Sequence, residues 1–338
     1  MHKHTSLVNH TIVTTSYKLL AIVIIAACLL INPGVGLAEQ TVVVIPKATI
    51  LHFWKMVCTG AHDAIKNTDT KLIWRGPRVQ NKSQAQQHLL QFYTEKKVDA
   101  IVLAPTDMKK LNPYIEKAVK AGIAIVIIDS PVTSNAPHTY IATDNYKSGE
   151  IGATLLSREI KRKGPVLLVG HTEKDGASFL RGQGFIDKMN KLRPGRSIIR
   201  IDMEDGSERE TRIAVDEILS SVPSIAGIFS VDEPISEGVY HVLSTQSLDI
   251  PFIAFDYNNH LIQGLKDGRI KALITQEPYT IGFFGVRAAI SLLAGKKVKK
   301  RVCPVTIITP NNISRSSILK RQQKTPLKEK ESCPICFN

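Results

Sequence analysis

Asp256 closes the apolar run Pro251-Phe-Ile-Ala-Phe255, and Gln276 stands at the end of a second such run, next to Glu277-Pro278. Asp129 ends a third, Gly122-Ile-Ala-Ile-Val-Ile-Ile128. A carboxylate accepts hydrogen bonds from hydroxyl or amine groups, and a side-chain amide both donates and accepts. Placed at the carboxyl ends of parallel strands, where ligands bind in open α/β sheets, such groups hold a small polar molecule. A loop-starting Asp can also bond its own backbone, but two acids at two strand ends favour a site. Phe53 and Trp54 fall in the first turn of a helix that follows the first strand. They read equally as a stacking platform and as core aromatics.

Groups that would do covalent chemistry are missing. There is no nucleotide fingerprint after the first strand, no G-x-x-x-x-G-K-[ST] and no H-E-x-x-H. No nucleophile elbow accompanies the scattered His52, His138, His171, His241 and His260. Gly182-Gln-Gly184 is a lone G-x-G inside a helix and is better explained by close packing. The expectation is a binding protein, not an enzyme, with no cofactor and no metal.

The elements that must position these residues alternate. Thr41–Ile45, Lys71–Trp74, Asp99–Ala104 and Gly122–Ile128 read as strands, separated by helices over His52–Ile65, Ser83–Lys97 and Met108–Ala121. Asp107 is expected to cap the last of these helices. The pattern resumes with strands at Tyr140–Thr143, Gly164–Val169, Ser197–Met203 and Ile225–Ser230, and helices over Ser148–Arg162, Phe179–Leu192, Glu208–Ser221 and Ile235–Gln246. Gly170 to Ser178 reads as a polar loop. Strand and helix alternating throughout mean parallel sheets covered on both faces.

The 338 residues suggest two domains. Lys18 precedes an apolar run, Leu19 to Ile31, and Gly36-Leu-Ala38 suits cleavage, so 1–38 is read as a signal peptide that directs the chain to the periplasm. Ile25-Ala-Ala-Cys28 also has the lipobox pattern, which would anchor the chain by lipid at Cys28. The formal charge of +14 is mostly local: Lys296, Lys297, Lys299, Lys300 and Arg301 supply +5, and the tail from Arg315 supplies +4. The body is near neutral, which argues against a nucleic-acid partner. Cys333-Pro-Ile-Cys336 on the basic tail 319–338 reads as a disulfide or free thiols before a metal site.

Phe53-Trp54 before Gly60-Ala61, Ala104-Pro-Thr-Asp107, Ile128-Asp129, Thr143-Asp-Asn145, Asp232-Glu-Pro234, Phe255-Asp256 and Gln276-Glu-Pro278 occur in one order over about residues 41–312. In these motifs the chain resembles the type I periplasmic binding proteins, in particular the ribose-binding-like sugar receptors. The resemblance implies two doubly wound, Rossmann-like α/β domains joined by a three-stranded hinge, with crossings near Thr143, Gln276 and Thr306. The lobes would be 39–143 with 277–306, and 144–276 with 307–318. It also implies ring stacking by Phe53 and Trp54, hydroxyl-accepting carboxylates at Asp129 and Asp256, an amide at Gln276, and Asp232 where an Asn is usual. The family's binding Arg falls on Phe179, with Arg181 two positions on, and Ser130 stands where the branch has an Arg. The expected activity is capture of a small polar ligand, a sugar, cyclitol or related solute, by a monomer that serves an inner-membrane ABC permease. The alternative is a sensor docking on a histidine-kinase ectodomain.

Overall fold

Runs of β-branched and aliphatic residues build two six-stranded sheets in the computed structural model, which describes residues 39–79 and 82–315. The first sheet contains β1 (Gln40–Ile45), β2 (Thr70–Trp74), β3 (Ala100–Leu103), β4 (Ala124–Ile128), β5 (Thr139–Thr143) and β11 (Arg301–Cys303), in the order β11-β5-β4-β3-β1-β2. The second contains β6 (Val166–His171), β7 (Ile198–Met203), β8 (Gly227–Ser230), β9 (Phe252–Phe255), β10 (Ile270–Thr275) and β12 (Thr306–Ile308), in the order β12-β10-β9-β8-β6-β7. The two orders match position by position, so β4 corresponds to β9 and β1 to β6. The pairings along β1-β3-β4-β5-β11 and along β7-β6-β8-β9-β10 are parallel, and at the edge β12 runs antiparallel to β10.

Central strands are apolar on both faces because both faces are covered. In β1, Val42 and Val44 join one core cluster while Val43 and Ile45 join another on the opposite side of the sheet. Each sheet, with the helices packed on it, is a lobe. The chain passes between them at Asp144, at Gln276-Glu277 and at Pro304-Val305.

Two helix pairs set the approach to the cleft. Helix α1 (His52–Ile65) lies against α9 (Pro278–Leu293), and α4 (Asn145–Glu159) against α5 (Gly176–Leu192). Glycines make both crossings: a Cβ on Gly60 would stand 2.0 Å from the Tyr279 carbonyl oxygen, and one on Gly184 2.0 Å from that of Tyr146. Gly184 therefore serves close packing, as its place inside a helix suggests.

Four helix starts differ from the sequence reading: the helices that begin at Asn145 and Glu233 start three and two residues early, behind the caps Asp144 and Asp232, and two others shift as follows. Helix α5 begins at Gly176, three residues early, because the Asp175 carboxylate accepts from Ser178 N–H and caps it. Helix α3 (Asn112–Lys120) begins late, after a turn in which Asp107 accepts from the backbone of Lys109 and Lys110. The other helices are α2 (Ser83–Glu95), α6 (Glu208–Ser221), α7 (Glu233–Thr245) and α8 (Asn259–Lys266). No described helix is long and apolar enough to cross a membrane. The proposed signal segment, Cys28 and the Cys333–Cys336 tail lie outside the described residues.

Candidate functional site

The carboxyl ends of the two sheets face one another across a small cavity lined by residues of both lobes, with about 30 Å³ of free space. Asp129 and Asp256 enter it from equivalent strand ends, and both have left-handed backbone, φ 64° and 62°. That conformation costs of order 1 kcal/mol or more for a residue with a Cβ, so each is held by its surroundings. Asp129 N–H donates to the Ile141 carbonyl on β5, and Asp256 N–H to the Ile274 carbonyl on β10.

Asp129 shares a buried cation. Lys47, just past β1, places Nζ 3.0 Å from Asp129 and 2.7 Å from Asp175 on the other lobe. Burial opposes ionisation of Asp175, but Lys47 and His171 outweigh it and hold its carboxyl below the usual range. Burial likewise works against the Lys47 ammonium, and the two carboxylates overcome it to raise its pKa. At the matching end of β6, His171 meets Asp232 at 2.6 Å. Burial disfavours the imidazolium there, yet Asp232 raises the His171 pKa overall.

Asp256 and Glu233 form a separate acidic corner. The Gln276 amide nitrogen donates to both oxygens of Asp256, at 3.1 and 3.3 Å, while its oxygen accepts from Thr143 Oγ1 at 2.8 Å. One amide thus joins two of the interlobe passages to a cavity acid. Glu233 accepts from Phe53 N–H at 3.3 Å and from Asn258 Nδ2 at 3.4 Å. Neither carboxyl has an ion-pair partner among the described residues. Burial pushes Asp256 up to about 7, against the opposing pull of Arg181 and Gln276. Burial, reinforced by Asp256, pushes Glu233 up to about 8.

Arg181 supplies the matching donor. Its Nε donates to Asn145 Oδ1 at 2.9 Å, its Nη1 to the Val231 carbonyl at 2.8 Å, and its guanidinium lies 4.0 Å from the Phe255 ring centroid. Nη2 is buried without a partner. The guanidinium is therefore fixed in place with its Nη2 amino group left over, the arrangement a polar ligand can use. Phe53 and Trp54 line the same cavity, edge to face at 4.9 Å.

Of the residues singled out from sequence, Phe53, Trp54, Asp129, Arg181, Asp232, Asp256 and Gln276 are brought to this cavity. Two are not. Phe179 packs its half-buried ring under the Arg200 guanidinium, 5.1 Å away. At about 100° per residue, a helix that turns Ala177, Ser178 and Arg181 inward turns Phe179 outward. Ser130 is fully buried behind the wall, where its hydroxyl lies 3.3 Å from both Asp129 and Asp175. Lys47, Asp175 and Glu233 were not expected at the site. A Lys directly after a buried strand and an Asp-Gly helix start were the available signals for the first two.

A cavity enclosed by the strand ends and helix starts of two similar α/β lobes defines a two-lobed binding protein. The model of the periplasmic binding protein domain matches residues 42–297, and the chain belongs to that family. Its relatives include the ribose import binding protein RbsB of Bacillus subtilis, 26% identical over 66% of this chain and 72% of that one. The D-ribose/D-allose-binding protein of Pseudomonas aeruginosa is 23% identical over 83% and 92%. Among solved structures, a carbohydrate transporter solute-binding protein of Agrobacterium radiobacter, in complex with D-arabinose, superposes with a TM-score of 0.80 at 28% identity, covering 84% of this chain and 99% of that one. An ABC-transporter solute-binding protein of Agrobacterium vitis, bound to α-D-tagatopyranose, does so with a TM-score of 0.79 at 26% identity over 83% and 98%.

Proposed function

We propose that the protein captures a small polyhydroxylated solute, a sugar or sugar-like molecule, in the interlobe cavity and presents its closed form to an ABC importer of the inner membrane. The observation that carries this reading is that one cavity collects Asp129, Phe53 and Trp54 from the first lobe and Asp256 and Arg181 from the second. A ligand that bonds to both sides favours the closed arrangement by its differential affinity for it. The sugars named for the relatives support the ligand class, and their naming as import or transporter proteins supports the partner.

Closure rotates the lobes about the passages at Asp144, Gln276-Glu277 and Pro304-Val305. The solute is bound and released unchanged, by a monomer in the periplasm. A thermal-shift panel of pentoses, hexoses and cyclitols tests this: one or more raises the Tm in proportion to log concentration. Asp256→Ala abolishes the shift; an unchanged shift would place the ligand elsewhere. Recovery of the sugar intact after incubation, by NMR, separates binding from turnover.

A further inference from the structure

The reading of the cavity as a sugar site leaves one feature unused, an excess of carboxyl groups over cations. Lys47 is committed to Asp129 and Asp175, and His171 to Asp232. Arg181 spends two of its donors on Asn145 and the Val231 carbonyl. Asp256 and Glu233 remain, both on the cavity wall, 6% exposed each, without a cation bonded to either. A neutral polyol satisfies hydroxyl donors and acceptors but brings these two carboxyls no cation.

A second observation points to the same ligand from the other side. Arg181 is 2% exposed, lines the cavity, and keeps Nη2 without an acceptor, so the ligand also carries a hydroxyl or ring oxygen. Beside Glu233, the Phe53 backbone N–H is already bonded to the carboxylate, which holds the Phe53 and Trp54 rings next to the acidic corner. Carboxylates beside aromatic rings form a favourable setting for an ammonium group.

Building on the sugar-site reading, we infer that the ligand is a polyhydroxylated amine, an amino sugar or aminocyclitol, whose ammonium is taken by Glu233 and Asp256 while an oxygen accepts from Arg181 Nη2. Without a cation, burial and the neighbouring carboxyls keep protons on Asp256 up to about pH 7 and on Glu233 up to about pH 8. The amine replaces those protons, so its binding releases protons into the buffer, whereas a neutral sugar leaves them in place. Asp129 and Asp232 face Asp256 and raise its pKa, Arg181 lowers it, and Glu237 adds to the repulsion at Glu233.

Isothermal titration calorimetry of the full chain with matched pairs, glucosamine with glucose, galactosamine with galactose and mannosamine with mannose, decides the matter. The inference expects one amine to bind about tenfold or more tighter than its neutral partner, the size of one charge-assisted hydrogen bond. It also expects the binding heat to change with the ionisation enthalpy of the buffer. Glu233→Gln, nearly the same shape, weakens the amine more than its neutral partner and so collapses that ratio towards one, and circular dichroism checks that it folds. If a neutral sugar binds as tightly as its amine or tighter, with no buffer dependence, the amine inference is overturned and the sugar reading stands. If no member of any pair, nor ribose or arabinose, binds at millimolar concentration, both fail.

Discussion

Asp129 and Asp256 occupy the same place in two different sheets, each just past the fourth strand of its lobe, each with φ near +60°, and each bonded through its N–H to the neighbouring strand. Their surroundings set them apart. Asp129 has Lys47 3.0 Å away, while Asp256 has only the neutral Gln276 amide in bonding contact. One acid is part of an internal ion cluster, and the other lines the same cavity with no cation bonded to it.

Because of that difference, the ligand-free protein carries a pH-dependent cost. In the unfolded chain Asp256 and Glu233 ionise at 3.8 and 4.5; folded, they do so near 7 and 8. Between those values the folded state holds protons that the unfolded chain has released, so stability falls as pH rises through the interval. Glu233→Gln removes its share and raises stability at about pH 9 by a few kcal/mol, with little change at about pH 4. Calorimetric melting at the two pH values checks this, and an equal gain at both would rule it out.

Lys47→Met should have the opposite sign. It strands two buried carboxylates, and breaking a buried pair in this way costs ~3–5 kcal/mol. Stability that Asp175 contributes is present above 3.8 and is lost as pH falls through its depressed folded value, so the variant should unfold at a higher pH on the acid side. Urea midpoints across the acid range report both effects. Adding Asp175→Asn should restore part of the loss.

Gln276→Leu breaks the bonds to Thr143 and Asp256 at once. We expect ~1–3 kcal/mol of lost stability and a larger relative loss of sugar affinity, because the amide joins the passage between lobes to a cavity acid. Parallel urea and titration measurements distinguish this from a purely structural effect, for which affinity would be unchanged.

Gly184→Ala is a test of positioning. The new methyl meets backbone, the Tyr146 carbonyl, and no side chain can swing aside. Helices α4 and α5 must separate, at ~1–3 kcal/mol, and Arg181, one turn earlier on α5, is displaced with them. Both the Tm and the sugar affinity should fall; retention of full affinity would show that α5 is not the ruler for Arg181.

Strand ends and helix faces were legible because apolar runs and turn residues are local signals, and they led directly to Asp129, Asp256 and Gln276. The helix His52–Ile65 is found with the bounds its periodicity indicates. The pairing of charges was not legible. Lys47 and Asp175 are far apart in sequence and meet only because two lobes face each other. Glu233 hides beside Asp232, and only burial singles it out. Phe179 was placed by alignment to a motif, while the side of the helix it occupies is decided by where α5 begins.

The order of strands also bears on how the polypeptide is made. The sheet that begins at Gln40 is completed by Arg301–Cys303, and the other is completed by Thr306–Ile308. Neither lobe can close its hydrogen-bonded edge until nearly the last described residue has left the ribosome. Each lobe therefore depends for its last strand on chain that arrives more than 150 residues after its neighbour in the first sheet and about 30 after it in the second.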